Sequence, residues 1–173
     1  RYANRIENGV FKLNDKTYFL EKNDGENHLH GGSNGLHRVN WNLKNKSKKS
    51  IHLNHLCIEK TYPGKIKIEL IYTLNDNNSF DIEFIAYSDR DTIFNPTSHS
   101  YFNLGKETTI LSHELQINSN EILEIDKNGI PTKKFLSIKD GPFDFKNFKT
   151  IGRDIKKNDI QLKFGYGYDH NYI

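Results

Sequence analysis

A chain of 173 residues is long enough to enclose one hydrophobic core, and its nine Tyr and eleven Phe supply bulk that a disordered sequence lacks. A net charge of +3, from 25 basic and 22 acidic residues interspersed, is not the footprint of a nucleic-acid binder, and no apolar run reaches membrane-span length. The single cysteine, Cys57, excludes an internal disulfide and fits a reducing compartment, so a cytoplasmic location is expected. The chain opens at Arg1 and contains no Met, which places the expected N-terminus, with any targeting signal, upstream of it.

Near the start, Ala3-Asn4-Arg5-Ile6 offers a polar pair. Arg presents a fixed fork of donors suited to ligand oxygens, although a surface Arg is the plainer reading. Val10 to Leu13 and Thr17 to Leu20 read as strands around a hairpin loop of Asn14-Asp15-Lys16. Asn27-His28-Leu29-His30-Gly31-Gly32 comes next. Alternate residues of a strand share a face, which allows both His28 and His30 to approach one ligand or one metal. A metal would need a third ligand at suitable spacing. His52, His55 and His170 form no such pattern, so no metal is expected and a substrate-binding imidazole is favoured. Lys44-Asn45-Lys46-Ser47-Lys48-Lys49, the only dense basic stretch, reads as a solvated loop. Cys57 lies in an apolar stretch and reads as structural.

Ile66 to Leu74 alternates, with Ile66, Ile68, Leu70, Tyr72 and Leu74 on one side. After a polar turn at Asn75 to Ser79, Phe80, Ile82, Phe84 and Ala86 repeat the pattern, predicting a half-buried antiparallel pair. His99 follows in Asn95-Pro96-Thr97-Ser98-His99-Ser100-Tyr101-Phe102-Asn103-Leu104. An imidazole exchanges protons at working pH. Thr97 and Ser98 add hydroxyls, and Tyr101 and Phe102 can form a wall. The plainer reading is a structural His packed on one of those rings. Ile110 to Ile117 and Ile122 to Ile125 are further strand candidates, with turns at Asn118-Ser119-Asn120 and Lys127-Asn128-Gly129. Gly141-Pro142-Phe143-Asp144-Phe145 sets a carboxylate between aromatics, either to accept bonds from sugar hydroxyls or as a turn Asp. Thr150 to Asn158 predicts at most a short helical turn. In Gly165-Tyr166-Gly167-Tyr168-Asp169-His170-Asn171, His170 reads as catalytic or as orienting backbone.

No repeat, linker or composition break divides the chain, so residues 1–173 are expected as a single all-β domain, a sandwich of antiparallel sheets. Phosphate-binding loops, dinucleotide fingerprints and nucleophile elbows are absent. Two imidazoles and a guanidinium among aromatics predict a polar cleft that handles protons on a neutral, hydroxyl-rich ligand.

Taken in order, Arg1 to Ile6, Asn27 to Gly32, Tyr62-Pro63-Gly64 with Ile71 to Leu74, Thr97 to Leu104, Pro142 to Phe145 and Tyr168 to Asn171 resemble the aldose 1-epimerases, also called galactose mutarotases. The resemblance implies a large antiparallel β-sandwich of the galactose mutarotase type and interconversion of the α and β anomers of aldoses such as galactose and glucose. His99 then corresponds to the general acid that protonates the ring oxygen, and His30 to a second histidine that polarises it. Asn4 and Arg5 correspond to a sugar-binding pair, and Asp144 to a carboxylate for the distal hydroxyls. No cofactor is implied, a monosaccharide is the implied partner, and the oligomeric state is left open.

The family's general base, a Glu downstream of the Asp-His-Asn motif, has no counterpart before Ile173, and its strands upstream of the Arg motif are also missing. An internal piece of a longer domain is therefore expected, inactive alone because that Glu is missing and poorly soluble because its sheet edges would be open. Leu36 and His37 replace the usual Phe and Asp after the Gly-Gly turn. The alternatives are a non-catalytic sugar sensor on the same scaffold, a hexose 6-phosphate epimerase needing extra cationic residues, and a metal-dependent isomerase using His28 and His30.

Overall fold

Alternating apolar and polar residues carry through into antiparallel strands in the computed structural model, which describes residues 1–173. Twelve strands and one five-residue helix lie in two compact units, Arg1–His99 and Ser100–Ile173. All strand pairs named below are antiparallel.

In the first unit, β1 (Arg5–Ile6) pairs with β4 (His28–Leu29), and β2 (Val10–Leu13) with β3 (Lys16–Phe19). The β2–β3 loop has two residues, not the three expected, because Lys16 pairs with Leu13. Asn14 and Asp15 take φ of 47° and 59°, as a tight hairpin turn of primed type requires. A four-stranded sheet runs in the order β5 (Asn42–Lys46), β6 (Ser50–Cys57), β7 (Ile66–Leu74), β8 (Phe80–Ser88). The alternation read in Ile66 to Leu74 and from Phe80 onward gives β7 and β8 in full. Ile66, Ile68 and Leu70 of central β7 are buried, and Cys57, Ile66 and Ile68 pack against Leu36, Trp41, Phe84 and Phe94. Toward the other end of that face, Ile51, Leu74 and Phe80 stay about half exposed.

The lysine run is not a loop throughout. Lys44 and Lys46 belong to edge strand β5, and only Ser47–Lys49 turn, closed by Ser47 N–H donating to Ser50 O at 2.9 Å. Lys44 Nζ donates to Glu69 at 2.9 Å, and lysines suit an edge because they resist further pairing.

Two contacts set the first unit's site. The buried Arg1 guanidinium donates to Pro63 O and Gly64 O, each at 2.9 Å, and lies over the Tyr62 ring at 5.2 Å. Ala3 N–H donates to Asn95 O (2.8 Å) and Asn95 N–H to Arg1 O (3.1 Å), so the segment leading to His99 runs beside the one leading to Arg5.

In the second unit, β10 (Glu121–Ile125) pairs with β11 (Pro131–Ser137) across the predicted turn at 127–129, and β9 (Glu114–Leu115) pairs with β12 (Lys149–Thr150). Of the strand expected over Ile110 to Ile117, only β9 forms. Ile122, Ile138, Phe143 and Leu162 make the core, with Leu136, Tyr168 and Tyr172 against it. The expected helical turn appears as a single 3₁₀ turn at Ile151–Arg153. The helix α1 (Ile160–Phe164) lies just beyond it, started by Asp159, whose Oδ1 accepts from Gln161 N–H (2.8 Å) and Leu162 N–H (3.1 Å).

Candidate functional site

The β1–β4 pairing matches Arg5 with Leu29 and Ile6 with His28, which brings Asn4 and Arg5 alongside His30. His30 N–H donates to Asn4 O (3.1 Å), and Asn4 N–H donates to His30 Nδ1 (3.0 Å). A main-chain N–H facing Nδ1 makes that nitrogen an acceptor, so the neutral ring carries its proton on Nε2. His30 is thereby set up as a donor at Nε2. Its backbone leaves the strand at φ 53°, and Gly31 (84°) and Gly32 (66°) continue in the left-handed region.

His99 meets this ring edge-on, with centroids 5.1 Å apart and planes at 81°. His99 is exposed and His30 half-buried, an arrangement that suits an open cleft. The Arg5 Nε donates to Asp24 Oδ2 at 2.7 Å, which fixes the plane of the guanidinium. Asp24 was not singled out by its sequence context. The available signal was the Asp24-Gly25 turn dipeptide, where Asp24 and Asn27 exchange main-chain bonds.

His28 does not share a ligand-facing side with His30, because regular pairing ends at Leu29. Its buried ring places Nδ1 2.7 Å from Glu21 O and Nε2 2.7 Å from the Tyr62 hydroxyl. No group of three His, Cys, Asp or Glu side chains is placed to hold a metal ion. His52 pairs with Glu69, and His55 Nδ1 faces Asn40 O. Cys57 is buried, its thiol donating to Glu59 at 2.8 Å.

Asp144 belongs to the second unit, between buried Phe143 and Phe145. Its Oδ2 accepts from Asp140 N–H (3.0 Å) and its Oδ1 from Lys146 N–H (3.2 Å). These two main-chain bonds hold its carboxyl below the usual carboxylate range and brace the 140–146 loop. A cleft of about 270 Å³ opens beside it, lined also by Asn147, Lys149, Arg153 and Asp154. Lys149 Nζ is buried against Asp154 (3.0 Å) and sits 4.2 Å from the centre of the Phe145 ring.

His170 orients structure. Its Nε2 lies 3.1 Å from Gln161 Oε1, and its ring packs edge-on against Phe143 at 4.6 Å. Tyr101 and Phe102, expected as a wall, lie outside any strand and are 87% and 62% exposed.

The family model described as aldose 1-epimerase matches residues 1–173. The aldose 1-epimerase of Haemophilus influenzae is 34% identical over 178 residues, which take in 100% of this chain and 52% of that protein. Human galactose mutarotase is 33% identical, with 99% of this chain and 49% of that protein covered. The crystal structure of galactose 1-epimerase from Lactobacillus acidophilus superposes with a TM-score of 0.88 at 31% identity, covering 100% of this chain and 53% of that one. The chain thus spans about half the length of the relatives it matches. A family match over every residue, with the same fold, shows that this chain belongs to the aldose 1-epimerase family.

Proposed function

We propose that the protein carrying this chain interconverts the α and β anomers of an aldohexose, such as galactose or glucose, by acid–base opening and reclosure of the pyranose ring. The observation that carries this reading is the edge-on meeting of His30 and His99 at 5.1 Å, with Asn4 bonded to His30. Opening the ring requires a proton delivered to the ring oxygen and another removed from the anomeric hydroxyl. His30 offers Nε2–H to the ring oxygen and polarises it. His99, the more exposed imidazole, delivers the proton. Asn4 and the Arg5 fork hold hydroxyls on the sugar. Asp144, within the second unit, keeps acceptor sites for sugar hydroxyls beyond its two main-chain bonds, since a carboxylate has about four. Rotation about C1–C2 and reclosure give the other anomer. No Glu of this chain is assigned as the base, and the reaction as written uses no cofactor. A cytoplasmic location fits the single reduced thiol, and no helix is long and apolar enough to cross a membrane.

Polarimetry of freshly dissolved α-galactose tests the reading on the whole protein. Wild type should speed the approach to anomeric equilibrium. His99→Ala should lower kcat by about 10²–10⁴-fold, the usual contribution of a positioned acid or base, while sugar affinity changes far less. Unchanged turnover in that variant would remove His99 as the acid. Sugar binding without turnover in wild type would favour the non-catalytic sensor.

A further inference from the structure

We infer that His28 and Tyr62 are positioning residues for His30: a buried imidazole–phenol pair holds the left-handed turn from which the His30 ring projects. The inference rests on the mutarotase reading for its kinetic consequence. Its structural part stands on contacts alone.

Both side chains are almost wholly enclosed, with His28 and Tyr62 each 2% exposed. His28 Nδ1 faces the Glu21 carbonyl at 2.7 Å, and a carbonyl only accepts, so Nδ1 carries a proton. In the neutral ring Nε2 is then the acceptor and the Tyr62 O–H donates to it at 2.7 Å. Burial pushes the Tyr62 phenol up, which keeps that hydroxyl protonated. Tyr62 is itself fixed, with the Arg1 guanidinium at 5.2 Å and the Phe11 ring at 5.9 Å.

The pair grips the turn from beneath. Glu21 is used twice: its carbonyl takes His28, and its Oε2 accepts from Ser33 N–H at 2.7 Å. His28 precedes the left-handed run His30-Gly31-Gly32 and Ser33 follows it, so one residue ties down both ends. The fit is close. A Cβ on Gly32 would stand 2.5 Å from Glu21 Oε2 and 3.0 Å from His28 Cε1. His30 holds a φ of 53° that side-chain-bearing residues avoid, so its backbone depends on what surrounds it. An apolar pair of the same shape would fill this space without burying polar atoms. The polar pair instead allows one orientation, because each His28 nitrogen has one partner. That orientation sets where His30 Nδ1 meets Asn4 N–H, and hence which nitrogen presents the proton to the sugar.

The test uses His28→Phe, Tyr62→Phe and His28→Gln in the whole protein, read by polarimetric kcat and KM and by the ¹⁵N shifts of the His30 ring. In wild type the neutral His30 ring should be the Nε2–H tautomer. His28→Phe should lower kcat by about 10- to 100-fold with KM within a few-fold, the scale of a small misplacement of a catalytic group. Its His30 nitrogens should move toward averaged values. His28→Gln, which supplies a donor and an acceptor, should recover most of both. Tyr62→Phe keeps the ring and its packing, and decides the matter if His28→Phe does not fold. His30 shifts unchanged in the folded variants, with activity lost only in proportion to folded protein, would overturn the inference. If wild type itself lacks mutarotase activity, the proposed function fails, and the ¹⁵N pattern alone still decides the positioning role.

Discussion

Arg5, proposed above to hold the sugar, shows how much a side chain's placement depends on a neighbour. Its Nε–H to Asp24 Oδ2 contact at 2.7 Å orients a fork that would otherwise swing on a flexible stem. Asp24→Ala should therefore raise KM for the sugar by about 2- to 5-fold and change kcat less, because a partly exposed ion pair contributes up to about 1 kcal/mol. Steady-state polarimetry over a range of sugar concentrations checks this, and an unchanged KM would mean that Arg5 needs no partner. The four polar residues proposed for the site in the first unit stand out in sequence by the chemistry of their types. His30 and His99 do meet, Asn4 is bonded to His30, and Arg5 follows Asn4 in the strand paired with Leu29. Asp24 was not legible, and Tyr62 was legible only as part of the Tyr62-Pro63-Gly64 motif, since their contacts lie 19 and 34 residues away along the chain. The face that alternation allows His28 and His30 to share is lost for a local reason. A period of two holds only while the strand lasts, and the φ of 53° at His30 ends it.

The elements sort by how strongly tertiary context decides them. β7 and β8 were legible because both alternate cleanly, β7 burying Ile66, Ile68 and Leu70 on one face and β8 half-burying Ile82 and Phe84. β5 and β11 were not: β5 is exposed along its length, and Lys133-Lys134 interrupts the pattern of β11. α1 is only five residues long, too short to form by propensity. It is held by the Asp159 cap and by Gln161, whose amide accepts from Ile125 N–H (2.9 Å) and donates to Ile125 O (3.0 Å). His170 completes that junction, and burial lowers its pKa below the ordinary value, outweighing the opposing pull of Asp169 and Asp159. The sign follows directly. Above about pH 6.5 both folded and unfolded rings are neutral. As the pH falls below that value the unfolded chain takes up the proton first, so stability drops until the folded ring also titrates. Thermal unfolding at pH 7.5 and 5.5 should show a larger loss of Tm for wild type than for His170→Gln. Equal losses would mean that His170 contributes nothing to the acid sensitivity.

At the scale of the molecule, antiparallel all-β architecture was written in the frequency of strands and turns. The division after His99 was not. No change of composition marks that step, and the two compact units are defined by contacts that a linear reading does not contain. The first unit's core is small, with Cys57, Ile66 and Ile68 buried to 3%, 1% and 0% exposure. Ile68→Ala removes the most enclosed of these from the central strand and should cost about 2–5 kcal/mol, a large share of the 5–15 kcal/mol typical of a domain. Denaturant titration measures the loss, and a cost below about 1 kcal/mol would show that the sheet closes over the gap. The lone thiol adds a convenience. Burial raises its pKa, and nothing in the second unit competes for a sulfur-directed reagent. Cys57 is thus a built-in clock: the rate at which a disulfide reagent modifies it times the breathing of one sheet, with the other unit silent throughout.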